Sequence, residues 1–386
     1  MKILLIHNKY KYRGGEEVYI ENLISLLKKE GHIVITYFKD SRDIKLFTDK
    51  LKIAFGLFWN PIINKELTRL IKYNKPDIAH FNNIYPLIGA TAYIVCINNK
   101  IPIVQHIHNY RFMCAKGFLF RNGKVCELCV DSKISFFSVI YGCYHNSRLA
   151  SLFFNIASFF HNILGTFRLI DKFVFPSEFT KKYYIRKIDL PKNKVIVIPY
   201  FINTMMKRIA LMEKKDYFLF VGRLSEEKGI IQLLKIFKTL QKQKLVVIRD
   251  GPLRKEVEKY NINNISIVGN LPRHTVLKYI KKSIAVIISS NWYEVLPYVY
   301  LEAIKEKTTI VVPNNDNFKI LPKKNSKIIM YKFLDFGNLK EKIIQIYRSR
   351  NKYRLLPVKS LFQNPYTPAY HYKHLIFLYR KLVRSS

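Results

Sequence analysis

YFLFVGRLSEEKGIIQLLKIFKTLQKQ, running from Tyr217 to Gln243, is the stretch from which the fold of this chain can be read. Tyr217 to Val221 is an uninterrupted apolar run of strand type, and Gly222 to Gly229 is a loop bracketed by glycines. The apolar spacing from Ile230 predicts a helix to Gln243. A strand that feeds a loop and then a helix is half of a βαβ unit, which lays its strands parallel. The alternation continues downstream. Leu245 to Ile248 predicts a strand, Leu253 to Tyr260 a helix and Ile265 to Val268 a strand. Ile284 to Ile288, Leu301 to Glu306, Ile310 to Val312 and Lys340 to Tyr347 carry it on.

Upstream, the same pattern begins at the first residues. Lys2 to His7 predicts a strand, Glu16 to Glu30 a helix with Gly31 as its stop, and Ile33 to Phe38 a second strand. Pro61 opens a helix to Tyr73. Ile78 to Phe81 and Ile101 to Val104 are strands on either side of a helix over Leu87 to Asn98. Lys172 to Phe175 and Val195 to Ile198 are strands ending at Pro176 and Pro199. Two such series joined near 200–214 predict an α/β chain of two doubly wound, Rossmann-like domains facing across a cleft. Residues 1–199 form the first domain and 200–365 the second. Ligands of such sheets sit at the carboxyl ends of the strands, so chemistry is sought in those loops.

Composition narrows the class. The 386 residues are 49% hydrophobic and 24% charged, the balance of a globular protein with room for two domains. Lys and Arg number 66 against 27 Asp and Glu, a formal charge of +39 that attracts anions. The cations are scattered without a dense run, which favours a membrane surface or phosphate-bearing substrates. A nucleic-acid reading has charge alone behind it and no recognised fingerprint. Met1-Lys2 leads directly into Ile3–Ile6 without a cleavage-site pattern, so no secretory signal is read. The longest uncharged stretch is Leu149 to Phe167. Ser151, Asn155, Ser158 and Asn162 form a polar stripe along it, which suits a helix packed beside a cleft or lying in a membrane interface rather than a spanning one. The expectation is a cytoplasmic chain, peripheral on the inner face of the cell membrane.

Three strand-end loops of the second half carry candidate chemistry. Arg223 and Lys228, five apart between Gly222 and Gly229, can hold a diphosphate: Arg supplies a planar fork, Lys a mobile charge, and the following helix its N–H groups. A solvated basic turn is the alternative. Asp250-Gly251-Pro252 reads as a turn before a helix. Glu294 and Glu302 lie eight apart across Val295-Leu296-Pro297, one in the loop and one in the first turns of the helix. Carboxylates accept from vicinal sugar hydroxyls, while the loop and helix N–H groups face an attached phosphate. Acidic residues matched to a helix dipole are the alternative.

In the first half, Gly14-Gly15-Glu16 follows the first strand and allows close backbone approach. The third glycine of a dinucleotide fingerprint is absent, which disfavours a nicotinamide enzyme. His106 and His108 follow another strand. A histidine there can donate to a sugar hydroxyl or phosphate and switch charge near neutral pH, or can be structural. Cys114, Cys126, Cys129 and Cys143 include a Cys-x2-Cys pair and can supply four thiolates to a structural zinc, or be reduced thiols without metal. Cys96, in the helix over Leu87 to Asn98, reads as core.

Together, Gly222–Gly229, Asp250–Pro252 and Glu294–Ala303 reproduce, in order and spacing, the G-R-L-x-x-E-K-G loop, the Asp-Gly-Pro turn and the Glu-x7-Glu element of the family-4 glycosyltransferases. The chain resembles that family over nearly its whole length. The resemblance implies a GT-B fold and a retaining, hexosyltransferase-type enzyme that uses a nucleotide-diphosphate sugar and no metal at the reaction centre. It implies a saccharide or lipid-linked saccharide acceptor, in surface polysaccharide biosynthesis. It assigns Arg223 and Lys228 to the diphosphate, Glu294 to donor sugar hydroxyls and Glu302 to the ribose. Gly14, Gly15, Val295, Leu296 and Pro297 line the donor, and His108, in the family's His-Asn-Tyr-Arg segment, touches the reacting sugar. One subgroup carries a cysteine set after that segment, as Cys114, Cys126, Cys129 and Cys143 do here. The end of the chain, about 366–386, resembles the terminal helix that returns to the first domain.

Four positions depart from the family. Arg249 and Lys307 stand where glycine is usual, Val295 replaces a small residue, and a glycine pair is missing from Pro313 to Phe318. These departures put the nucleotide preference in doubt and permit a reduced activity. A non-enzymatic nucleotide-sugar-binding protein on the same fold is the alternative.

Overall fold

Ile3, Leu4, Leu5 and Ile6 are wholly buried in the first strand, which is why that run of apolar residues becomes the centre of a sheet covered on both faces. The structure is a computed structural model that describes residues 1–130, 136–188, 190–202, 215–319, 327–355 and 365–385. It divides into two compact units. The first holds 1–119, 126–199 and 369–386, and the second holds 120–125 and 200–368. Most of the junction read near 200–214 lies outside the described residues.

The first unit contains β1 (Lys2–Lys9), α1 (Gly15–Lys29), β2 (Ile33–Asp40), α2 (Phe47–Gly56), α3 (Pro61–Asn74), β3 (Ile78–Phe81), α4 (Thr91–Asn98) and β4 (Ile103–His106). After the short hairpin β5 (Phe120–Arg121) and β6 (Lys124–Val125), which counts with the second unit, come α5 (Phe136–Ile140), α6 (Arg148–Ile163), β7 (Lys172–Phe175), α7 (Glu178–Lys187) and β8 (Val195–Val197) of the first. Its sheet runs β2-β1-β3-β4-β7-β8, every pairing parallel. The second unit contains β9 (Tyr217–Val221), α8 (Ile230–Lys238), β10 (Lys244–Ile248), α9 (Arg254–Glu258), β11 (Ile265–Gly269), α10 (Arg273–Lys282) and β12 (Ala285–Ile287). It continues with α11 (Tyr298–Lys305), β13 (Thr309–Asn314), α12 (Asp316–Lys319), β14 (Ile328–Lys332), α13 (Phe336–Arg348) and α14 (Arg350–Leu355). Its sheet runs β11-β10-β9-β12-β13-β14, again all parallel. In both sheets the strand order reverses beside the first strand, so the strand ends there open a crevice. The chain closes with α15 (Pro368–Ser385).

Three predicted helices are shorter than their apolar spacing, among them the one read over Leu253 to Tyr260, which spans Arg254–Glu258. The helix after β9 stops at Lys238, where Thr239 turns its hydroxyl onto the Ile236 carbonyl at 2.8 Å. The helix expected from Leu87 begins at Thr91. The Leu87 N–H is held by the Asn8 side chain at 2.8 Å, so residues before Thr91 form a turn. Among the described residues no helix is long and apolar enough to cross a membrane.

Candidate active site

The loop after β9 is built by contacts that only a residue without a side chain permits. Gly229 has φ +66°, and a Cβ there would lie 2.0 Å from the Ser289 carbonyl oxygen. A Cβ on Gly251 would lie 2.4 Å from the Leu224 carbonyl. Leu224 N–H donates to the Asp250 carbonyl at 3.1 Å, and Leu253 N–H to the Leu224 carbonyl at 2.9 Å. The Asp250-Gly251-Pro252 turn therefore ties the Arg223 loop to the end of β10. Ser289 donates to the Lys228 carbonyl at 2.8 Å, and Asn291 N–H to the Glu227 carbonyl at 2.8 Å, which fastens the same loop to the end of β12.

On that frame the charged side chains pair. Lys228 Nζ lies 2.6 Å from Glu294 Oε1 and 5.0 Å from the centre of the Trp292 ring. Ser290 donates to the same carboxylate oxygen at 2.5 Å, and the Asn317 amide donates to the Glu294 carbonyl. Asn317 sits within the segment that lacks the family's glycine pair. Arg223 donates to Glu227, which also accepts from Ser225 at 2.6 Å. Burial pushes the Glu227 carboxyl up, but Arg223, the Ser225 hydroxyl and Lys228 outweigh it, and the group lies below the ordinary carboxylate range.

Glu302 stands in the second turn of α11 with only 5% of its surface exposed. Arg273, the first residue of α10, approaches it at 3.2 Å and covers the Tyr298 ring at 5.3 Å. Burial raises the Glu302 carboxyl, and Arg273 and then Arg249 offset part of the rise. Arg249 has φ +111° and Lys307 φ +54°. Both are positions where the sequence reading expected glycine, and the backbone there has the conformation that glycine adopts freely. Val295 and Leu296 are buried, and Pro297 opens α11 without a side-chain cap. Arg223, Arg249, Arg273, Glu294 and Glu302 thus follow β9, β10, β11 and β12 on one edge of the second sheet. The structure joins Lys228 to Glu294 directly, and gives Glu302 a separate partner in Arg273. The sequence reading missed Glu227, Arg273 and Asn317. Their signal was position, since each lies at a strand-to-helix junction of the second series.

In the first unit, His108 follows β4, and its Nε2 meets Asn82 Oδ1, after β3, at 2.8 Å. Both line a shallow pocket with Asn109 and Arg111. His106 stacks on His108 with ring centres 4.5 Å apart. Burial, then His7 and His80, hold the His108 imidazole far below the usual histidine range. Behind it runs a directional chain. His371 Nδ1 lies 2.7 Å from the Pro199 carbonyl and must donate to it, so its Nε2 accepts from the Tyr19 hydroxyl at 3.2 Å. The Tyr19 oxygen is in turn 3.0 Å from His106 Nδ1. Gly14 caps α1, and its N–H donates to Glu17 at 2.7 Å, while Gly15 is exposed. Next to them Glu16 accepts from Asn83 N–H at 3.1 Å and lies 3.5 Å from His7. Burial and then Glu17 raise its carboxyl well above the ordinary range.

Cys114, Cys126, Cys129 and Cys143 are reduced cysteines. Burial, then Cys114, Cys143 and Cys126, push the Cys129 thiol up to about 12, which makes the four neighbours. Among the described residues no three His, Cys, Asp or Glu side chains converge in a group able to hold a metal ion. Cys96 is fully buried in α4.

Comparison with known proteins follows the same division. A family model described as Glycosyltransferase Family 4 matches residues 13–205, and one described as Glycosyl transferases group 1 matches 201–356. An uncharacterised glycosyltransferase of Methanocaldococcus jannaschii is 22% identical over 334 residues, covering 81% of this chain and 80% of that protein. An alpha-1,4-N-acetyl-D-galactosaminyltransferase of Campylobacter jejuni, named for an undecaprenol diphosphate-linked saccharide, is 29% identical over 130 residues, covering 32% of this chain and 35% of that one. Among solved structures, sucrose-phosphate synthase of Thermosynechococcus elongatus superposes with a TM-score of 0.68 at 14% identity, covering 100% of both chains. Anabaena HepE, in complex with UDP and glucose, superposes with a TM-score of 0.65 at 13% identity, covering 99% of this chain and 100% of that one. These neighbours establish the two-domain α/β fold of GT-B type.

Proposed function

The chain belongs to glycosyltransferase family 4, and on that premise we propose that it moves a hexosyl group, with retention, from a nucleotide-diphosphate sugar to a saccharide or lipid-linked saccharide. The observation that carries this reading is the Lys228–Glu294 contact at 2.6 Å, which sets a cation and a sugar-binding carboxylate at one point on the strand-end edge. Arg223 and Lys228 neutralise the diphosphate as it leaves, sharing their charge between phosphate oxygens and Glu227 and Glu294. A charge stabilised only as the bond breaks lowers the barrier. Glu294, aimed by Ser290, accepts from the donor sugar hydroxyls. Glu302, steadied by Arg273, accepts from the ribose, with Val295, Leu296 and Pro297 as the wall between. His108 stays neutral and hydrogen-bonds the reacting sugar, with Gly14 and Gly15 giving the donor and acceptor room beside α1. UDP and glucose in the HepE complex support a nucleotide-sugar donor, and the undecaprenol-linked saccharide in the name of the Campylobacter relative supports a lipid-linked acceptor; surface polysaccharide assembly is the setting proposed for it.

Screening the purified chain against a panel of nucleotide sugars, by thermal shift and release of free nucleotide, tests the reading. At least one donor should stabilise the fold and turn over. Stabilisation without release would favour the second reading, a nucleotide-sugar-binding protein. Its supporting observation is Arg249, which brings an additional cation beside Glu302. A structural zinc on Cys114, Cys126, Cys129 and Cys143 is a separate proposal that requires the neighbouring thiols to turn toward one point. Metal analysis that finds no zinc, with the four replaceable by Ser, removes it. No catalytic step depends on it.

A further inference from the structure

Helix α6 presents apolar side chains both to the core and to the outside. Its inward face carries Ser151, Phe154, Ala157 and His161, all buried. Its outward face carries Leu149 (65% exposed), Leu152 (39%), Ile156 (48%), Phe159 (56%) and Ile163 (68%). Those five recur at steps of three and four, so they form one apolar strip about 20 Å long. The polar stripe visible in the sequence therefore runs partly into the protein: Ser151 caps its turn by bonding the Tyr144 N–H at 2.9 Å, and Asn155 bonds Ser138 of α5 at 2.6 Å.

The neighbouring helices widen the strip. Phe55 of α2 packs its ring edge on Phe153 of α6, and the His161 ring meets the Leu57 carbonyl at 2.9 Å, which sets α2 beside α6. Phe55 is 65% exposed and Trp59, just past α2, 43%. On the α5 side, Phe136 is 59% and Ile140 42% exposed. Exposed apolar side chains gathered on adjacent helices mark an interaction surface rather than singly scattered surface residues.

Charge identifies what covers it. From Ser132 to Ile170 the sequence contains no Asp or Glu. Arg148 opens α6 and Arg168 lies in the short turn five residues past its end, both exposed, and Lys50 and Lys52 are exposed on α2, whose Asp49 is turned back onto the Lys45 and Leu46 N–H groups. The chain as a whole carries +39. A second copy would bring the same cations against themselves, whereas an anionic surface complements them. We propose that α6, flanked by α2 and α5, seats this chain in the interface of an anionic lipid bilayer, apolar strip inserted and cations at the headgroups.

This deepens the membrane side of the proposed function, giving the lipid-linked acceptor a surface on which it is met. The test contains neither donor nor acceptor, so it and the transferase reading fail separately. The full chain is sedimented with phosphatidylglycerol–phosphatidylcholine vesicles and with phosphatidylcholine vesicles alone, and its tryptophan emission is followed. Binding should require the anionic lipid, weaken with salt, and shift emission to the blue through Trp59, since Trp292 is only 5% exposed. Ile156→Glu with Phe159→Glu should weaken binding by about tenfold or more, with melting temperature and donor release unchanged. Should that variant misfold, Arg148→Glu with Arg168→Glu should abolish the preference for anionic lipid. Failure of the wild type to bind overturns the proposal, as does undiminished binding by a folded variant. So does a wild-type dimer that the α6 substitutions dissolve while vesicle binding persists.

Discussion

Replacing His371 by Gln should flatten the acid dependence of stability. The wild-type imidazole is wholly buried, donates to Pro199 and accepts from Tyr19. A proton added at Nε2 faces the Tyr19 O–H donor, so charging this ring breaks the chain that ends at His106 and supports His108. Burial lowers its pKa from the ordinary 6.5 to about 4; the Pro199 hydrogen bond opposes the shift and His374 adds to it. Because the folded value lies below the unfolded one, the stability is complete above pH 6.5 and is lost as pH falls toward 4. Between pH 7.5 and 5 the loss attributable to this one residue is about 2 kcal/mol. Glu16 acts in the opposite direction in both proteins, while His80, lowered to about 3 by burial and then by His371, and His106, also lowered in part by His371, are coupled to the substituted ring, so the difference reports His371 together with these two neighbours. Gln can donate to Pro199 and accept from Tyr19 without titrating. Urea unfolding of both proteins at the two pH values measures it, and the variant should lose about 2 kcal/mol less. Equal losses would refute the argument.

Other substitutions examine the second unit. Lys228→Ala and Arg223→Ala should each lower turnover by about two orders of magnitude or more with the fold intact. Near-normal rates in a donor-release assay would contradict their role. Gly229→Ala meets both the Ser289 carbonyl and a left-handed φ, so a loss of about 3 kcal/mol or more is expected in thermal unfolding, and an unchanged melting temperature would count against the packing described. Arg249→Gly should raise stability by about 1 kcal/mol by relieving its φ of +111°, and should alter nucleotide preference in the donor panel, since it removes a cation near Glu302. Destabilisation by that change would show that the guanidinium contributes more than its backbone costs.

The alternation of apolar strands and helices carried the fold class, because parallel strands covered on both faces read as continuous apolar runs and each strand end must turn into a helix. Gly229 and the Glu294–Glu302 interval were equally visible, since backbone freedom and helix register are local properties. Contacts between loops were not. That Lys228 meets Glu294 and that Arg273 rather than Lys228 serves Glu302 depend on strand order β11-β10-β9-β12, which sets distant loops side by side. The neutral state of His108 also belongs to the tertiary structure, because it arises from burial and from His7 and His80 on other strands. The clearest case is α6: the sequence determined its polar stripe, but only packing against α2 and α5 decided which of its apolar side chains are covered, Phe154 and Ala157, and which face outward, Leu149, Ile156, Phe159 and Ile163.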